Sequence, residues 1–242
     1  RVAAMRAEVR RPFKDAWADF VALPQAKRFL FATALGTMAF HMQDIVLEPY
    51  GGEILHLSVG ATSALTAMLA TGGLMGFYVA GRQLAKQVDP MRVAAYGLLV
   101  ALPAFSAVIF SAPMAAGWLF RLGALGIGLG GGLFAVGTLF TAMRIEKAYV
   151  GLALGAWGAV QSASAGIAMF LGGALRDTMT SVTTQGVLGT ALTDPSVAYS
   201  MVYHLEMLLL FLTLVAVGPL VKRRPFSAFH PAQPLGLTES RI

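Results

Sequence analysis

Six long apolar runs, at about 28–48, 58–81, 92–111, 116–142, 149–175 and 197–221, alternate along the chain with short polar segments. At about 1.5 Å per residue each run can cross a hydrocarbon core of about 30 Å. The pattern predicts an all-α, polytopic membrane protein whose six transmembrane helices occupy residues 27–224.

The segment before the first run has a different period. From Val2 onward, Val2, Met5, Val9, Phe13, Trp17 and Phe20 recur every three or four positions, with Arg6, Arg10, Arg11, Lys14, Asp15 and Asp19 between them. Residues 1–26 are therefore expected to form an amphipathic helix, either lying on an anionic leaflet or linking the membrane domain to an earlier one. Residues 225–242 hold Pro225, Pro231 and Pro234 without helical periodicity and are expected to be an extended or disordered tail.

Composition agrees with the pattern: 57% of residues are apolar, 12% are charged and the mean hydropathy is +0.69. A soluble domain carries about 25% charged residues. Cysteine is absent, which excludes disulfides, thiolate metal sites and cysteine nucleophiles. The net charge of +6 does not point to nucleic acid, because the basic residues lie between apolar runs rather than in one patch. Counted by alternate segments, sixteen of the eighteen Lys and Arg fall on one side, leaving Arg121 and Arg176 on the other. By the positive-inside rule both termini, including the 1–26 segment and the tail, are expected in the cytoplasm. The chain begins with Arg1 and shows no signal-peptide pattern, as expected of a piece of a longer polypeptide.

The stretch His41-Met-Gln-Asp-Ile-Val-Leu-Glu-Pro-Tyr-Gly-Gly-Glu-Ile-Leu-His56 gathers polar side chains at the end of the first apolar run. On a continuous helix His41, Asp44 and Glu48 share a face, Gln43 is rotated away, Pro49 ends the helix and Gly51-Gly52 turns the chain. Charged groups at membrane depth face a bundle interior, a cavity or a partner. The group is thus either a hydrogen-bond network locking helices together or a ligand or partner site comprising His41, Gln43, Asp44, Glu48, Pro49, Tyr50, Gly51 and Gly52. Near the start of the last run, His204 and Glu206, with Tyr203, form a second polar group at similar depth, either interfacial or part of the same site. Asp194-Pro195 reads as its N-cap and first helical position. The preceding connection from Arg176 is expected to be an exposed loop.

Glycines crowd the fourth run, where Gly126-x-Gly128-x-x-Gly131 matches a dinucleotide fingerprint but lacks the strand and phosphate-accessible helix start it needs. Small residues four apart instead let membrane helices approach closely, and Gly72 with Gly76, Gly128 with Gly132, and Gly151 with Gly155 are the candidate packing pairs. No HExxH, GxSxG or Walker-type loop is present, and no metal cluster is expected. The chain is not expected to be an enzyme.

Six spans with cytoplasmic ends resemble one half of a major facilitator transporter. More specifically, Met42-Gln43-Asp44-Ile45-Val46-Leu47-Glu48-Pro49-Tyr50-Gly51-Gly52, with Ser58-Val59-Gly60-Ala61-Thr62, resembles the PucC/LhaA group, the bacteriochlorophyll delivery family of photosynthetic bacteria. The resemblance implies a second six-helix half, in the intracytoplasmic photosynthetic membrane, that helps assemble light-harvesting antenna complexes. Its implied partners are antenna polypeptides, photosynthetic complexes, lipid, and a missing first half or further copies of itself. Its implied pigment is bacteriochlorophyll, with His41 and His204 as imidazoles able to ligate a chlorin magnesium. Ala80 departs from the wider transporter pattern, which has an aspartate in this loop. The alternative function is a proton-coupled secondary transporter with His41, Asp44 and Glu48 as its relay.

Overall fold

The computed structural model describes residues 13–23, 25–145, 149–186, 189 and 192–221. The remainder of the 1–26 segment and the 225–242 tail lie outside the described residues. Among those described, every regular element is helical: α1 (Phe13–Ala22), α2 (Ala26–His41), a 3-10 turn (Met42–Ile45), α3 (Leu47–Glu53), α4 (Val59–Ala85), α5 (Pro90–Ser111), α6 (Gly117–Met143), α7 (Val150–Thr184), α8 (Ser196–Val217) and a closing 3-10 turn (Gly218–Leu220). Six units are long and apolar enough to cross a membrane: Ala26–Glu53, which combines α2, the turn and α3, then α4, α5, α6, α7 and Ser196–Leu220.

Local chemistry sets the helix starts. Ser58 is extended and its hydroxyl accepts the Ala61 N–H at 3.4 Å. Asp89 Oδ1 accepts from the Met91 and Arg92 amides at 3.0 and 3.2 Å, and Pro90, which has no N–H to satisfy, opens α5. Asp194 accepts from the Ser196 amide at 2.8 Å at the entrance to α8. Hydrogen bonds from the Ser196 side chain and peptide N–H hold the Asp194 carboxyl below its ordinary range. At the opposite end of the bundle Arg28 donates from Nε to the Ala216 carbonyl at 2.9 Å and from Nη2 to that of Val215 at 3.3 Å, tying the start of α2 to the end of α8.

Three sequence expectations are corrected. Pro49 does not end a helix; it sits in the first turn of α3, where a missing N–H leaves no bond unmade. Gly51 and Gly52 are inside α3, and the chain turns later, at His56 with φ 51°. Arg176–Thr184 is the last part of α7 rather than a loop, and its threonine hydroxyls are satisfied within the helix by carbonyls four residues earlier: Thr178 by Ala174 at 2.7 Å, Thr180 by Arg176 at 2.8 Å and Thr184 by Thr180 at 2.8 Å.

α6 lies between α4 and α5, while α2 packs on α7 and α8. A Cβ at Gly72 would land on the Leu125 carbonyl oxygen, at Gly128 on that of Leu69, and at Gly76 on that of Leu129; at Gly132 it would lie 2.5 Å from the Gly73 carbonyl oxygen. On the other face of α6, a Cβ at Gly137 would lie 2.6 Å from both the Pro90 carbonyl oxygen and the Ala94 amide nitrogen, and one at Gly123 2.9 Å from the Ala104 carbonyl oxygen. Gly151 and Gly155 are corrected: nothing lies within 4 Å of a Cβ at either, because they are on the exposed side of α7. α1 lays Phe20 into the core and leaves Phe13 and Trp17 open, their rings 6.2 Å apart.

The two classes of glycine predict opposite outcomes. Gly128→Leu should cost at least ~1–3 kcal/mol, since backbone rather than a flexible side chain blocks the Cβ, whereas Gly151→Leu should stay within ~0.5 kcal/mol. Thermal unfolding of the two variants in one detergent measures the difference; equal melting temperatures would remove the packing role of Gly128.

Candidate functional site

The first spanning unit is interrupted where its polar residues begin. α2 ends at His41, and Met42–Ile45 continue as a tighter 3-10 turn before α3. The close approach of α7 accommodates this segment: a Cβ at Gly172 would lie 2.7 Å from the Met42 carbonyl oxygen.

The turn redistributes the expected polar face. His41 Nδ1 and Asp44 Oδ2 are 2.7 Å apart, and Gln43 Nε2 donates to Asp44 Oδ1 at 2.6 Å. Gln43 therefore belongs to the group, contrary to the continuous-helix reading: 3-10 winding aligns His41 with Asp44 three residues on, and the long Gln43 side chain reaches across to Asp44 Oδ1. Glu48 leaves it, accepting from Thr66 Oγ1 at 2.5 Å and linking α3 to α4. An ionised carboxylate only accepts hydrogen bonds, so in this pair the imidazole donates from Nδ1.

His41, Gln43 and Asp44 line a partly open cavity of about 330 Å³ between α2, α4, α6 and α7. Phe40, Phe77 and Phe134 supply aromatic wall, and Gly73, Gly128, Gly131 and Gly132 give one side almost no side chains. Thr37, Thr66 and Gln161 add the remaining polar lining. Thr37 Oγ1 and Gln43 Oε1 are buried without hydrogen-bond partners. Such atoms usually have a partner, and each unpaired one costs about 1–3 kcal/mol.

The rest of the motif does not open on the cavity. Tyr50 and Gly51 are buried, so the expected binding role is corrected to packing; Tyr50 is central to an aromatic cluster with Phe120, Tyr199 and Tyr203 at 5.3, 5.4 and 5.6 Å. Its hydroxyl donates to the Val108 carbonyl at 3.4 Å. Pro49 is half-buried, and a Cβ at Gly52 would meet open space.

His204 and Glu206 do not form one group. His204 is exposed and donates from Nδ1 to the Ser200 carbonyl at 2.6 Å. Glu206 is fully buried, with neither carboxyl oxygen hydrogen-bonded. The Gln43 peptide N–H and the Asp44 carboxylate lie within its electrostatic reach, behind the 3-10 turn. The interfacial reading fails for Glu206. Its burial was signalled by spacing: Tyr199, Val202, Tyr203, Glu206, Leu210 and Thr213 form one buried stripe at intervals of three and four. Among the described residues no group of three or more His, Asp and Glu is placed to hold a metal ion.

Sequence reasoning missed the clasp at the far end of α3. Glu53 Oε2 accepts from Arg176 Nη2 at 3.0 Å and from the Tyr199 hydroxyl at 2.5 Å, while Arg176 Nη1 donates to Asp177 Oδ1 at 3.1 Å. The Arg176 guanidinium carbon lies 5.0 Å from the Tyr199 ring centroid. One basic residue thus joins α3, α7 and α8, and its only sequence signal was its isolation on the side with almost no positive charge. Tyr199→Phe should destabilise by ~1 kcal/mol and Arg176→Met by more, since the latter leaves Glu53 and Tyr199 without their shared donor. Differential scanning of detergent-solubilised variants reads both; an unchanged Arg176→Met melting temperature would make the clasp incidental.

The family described as "PUCC protein" matches residues 1–225. The chain is 47% identical over 240 residues to "Uncharacterized protein in puhA-bchM intergenic region" of Rhodobacter capsulatus, covering 99% of this chain and 49% of the relative. It is 42% identical over 223 residues to "Protein PucC" of Cereibacter sphaeroides, covering 92% and 48%. It is 28% identical over 175 residues to "Bacteriochlorophyll synthase 44.5 kDa chain" of Rhodobacter capsulatus, covering 69% and 39%. The chain spans about half the length of the curated relatives it matches. No solved structure matches it significantly. Six apolar spans and a family match over nearly the whole chain lead to one assignment: the chain belongs to the PUCC protein family.

Proposed function

We propose that this chain is part of an assembly factor for photosynthetic light-harvesting complexes, holding antenna polypeptides in the membrane while bacteriochlorophyll is supplied to them. Family membership and relatives from photosynthetic bacteria support a role in photosynthetic complex assembly. The observation that carries the finer reading is the His41, Gln43 and Asp44 group lining an aromatic-walled cavity inside membrane-spanning helices. A network serving only to lock helices would satisfy its own oxygens, whereas Gln43 Oε1 and the neighbouring Thr37 Oγ1 are unpaired.

A second reading, proton-coupled transport, draws on Glu206, a buried carboxyl within electrostatic reach of Asp44. Against it, Ala80 is fully buried in a cluster with Leu84, Val93 and Leu133, so the position where transporters carry an aspartate is here part of an apolar core. In the assembly reading, Asp44→Asn and His41→Phe leave a folded, inserted protein and reduce antenna absorbance per unit of that protein several-fold. Normal antenna absorbance in both variants, with proton-driven solute uptake into vesicles, would favour transport instead.

The proposal includes an orientation, with both termini cytoplasmic, as the distribution of Lys and Arg supports. A protease site inserted at Gly189 should be cut from the periplasmic side and one at Arg144 should not. The reverse cleavage pattern would invert the topology.

A further inference from the structure

We propose that the 3-10 turn is a binding site for internal water, which links the cavity, at Thr37 and Gln43, to the buried carboxyl of Glu206 behind the turn. Among the described residues, six of the seven buried side-chain oxygen and nitrogen atoms without hydrogen-bond partners lie on α2, the turn and α8: Thr33 Oγ1, Thr37 Oγ1, Gln43 Oε1, the Tyr203 hydroxyl and both oxygens of Glu206. All five side chains are at most 2% exposed. Thr33 lies one helical turn before Thr37 on the same side of α2, and Tyr203 and Glu206 share the buried stripe of α8. Gln43 joins the two sets, because its side chain lines the cavity while its peptide N–H lies within reach of Glu206. Asp44, the charged group within reach of Glu206, is held on the cavity side by His41 and Gln43.

The chemistry of these atoms selects water. The Thr33, Thr37 and Tyr203 hydroxyls each have a proton to donate, whereas Gln43 Oε1 only accepts, its Nε2 being committed to Asp44 at 2.6 Å. Water donates and accepts; a cation satisfies lone pairs alone, and an apolar molecule satisfies nothing. The two threonines also differ from others in the spans. Thr138, Thr141 and Thr213 donate to carbonyls four residues back at 2.9, 2.8 and 2.6 Å, but Thr33 and Thr37 leave the carbonyls of their own helix alone. Buried polar groups left without protein partners are the usual sites of internal water, and each molecule needs only ~10–15 Å³ of free volume. Water enters from the partly open cavity, which Thr37 and Gln43 line. The inference is independent of the assembly reading: a molecule entering the cavity displaces water at Thr37 and leaves that at Glu206 in place.

The test is X-ray radiolytic labelling of the purified full chain in mild detergent, because hydroxyl radicals formed from bound water oxidise the side chains beside it. Tyr203 is fully buried and out of reach of radicals from bulk solvent, whereas Met114, in the connection between α5 and α6, is exposed. The expected result is oxidation of Tyr203 that persists when a radical scavenger in the bulk suppresses oxidation of Met114. Tyr203 left unoxidised in the parent protein would overturn the site without any variant having to fold. Melting temperatures give a second, independent reading. Glu206→Met should melt below the parent and Glu206→Gln near it, since the amide keeps the bonds to water and the thioether does not. A Glu206→Met variant that melts above the parent would mean that the carboxyl is truly unpaired, and the proposal fails. A melting temperature that rises with added sodium chloride but not with choline chloride, and loses that rise in Glu206→Gln, would assign the site to a cation instead.

Discussion

Backbone-to-backbone approach along α6 is the contact on which the arrangement of the spans depends. Lipid offers apolar helices no hydrophobic reason to associate, so close packing has to come from surfaces with few side chains. α6 provides two, with Gly128 and Gly132 toward α4 and Gly123 and Gly137 toward α5. Gly131 points between them, toward Phe40, and with its neighbours keeps the cavity floor low. The residues that let three helices touch thus also leave the space beside α2 unfilled.

That space matters because α2 stops where it does. The 3-10 turn at Met42–Ile45 eclipses residues three apart and so sets His41 over Asp44 at 2.7 Å, while the Gln43 side chain reaches Asp44 at 2.6 Å. Glycine acts here as well, since only at Gly172 can α7 come so near the Met42 carbonyl.

The apolar runs made the six spans legible, because membrane thickness imposes their length. The ends were less so. Thr178, Thr180 and Thr184 read as loop composition, yet each hydroxyl finds a carbonyl within its own helix, so polarity there did not stop α7. Pro49 read as a terminator, but its effect depends on position within the turn, which single-residue rules do not supply. In the candidate site, the His41–Asp44 pair was visible at its spacing of three, and Gln43 was misplaced because a face argument ignores how far a long side chain can reach toward its sequence neighbour. The packing glycines divided likewise: Gly72, Gly76, Gly128 and Gly132 meet partner backbones, whereas Gly151 and Gly155, with the same spacing, meet none. Spacing reveals that a face is smooth and not whether another helix covers it.

The supports around the break explain why it is a defined structure rather than a frayed end. On its far side α3 is anchored three times: Glu48 to Thr66 on α4, Tyr50 in the aromatic cluster, and Glu53 to Arg176 and Tyr199 on α7 and α8. On its near side α2 is packed against α7 and α8, and Arg28 bonds the last carbonyls of α8. With both flanks fixed, the five residues between them, Met42 to Val46, have little freedom to rewind, and the His41, Gln43 and Asp44 side chains are presented in one geometry. A cavity flanked this way has its polar lining oriented in advance, with the His41 imidazole turned toward and backed by the Asp44 carboxylate. The burial of Tyr50 and the half-buried clasp at Arg176 are therefore parts of the scaffold around the break, although neither residue lines the cavity.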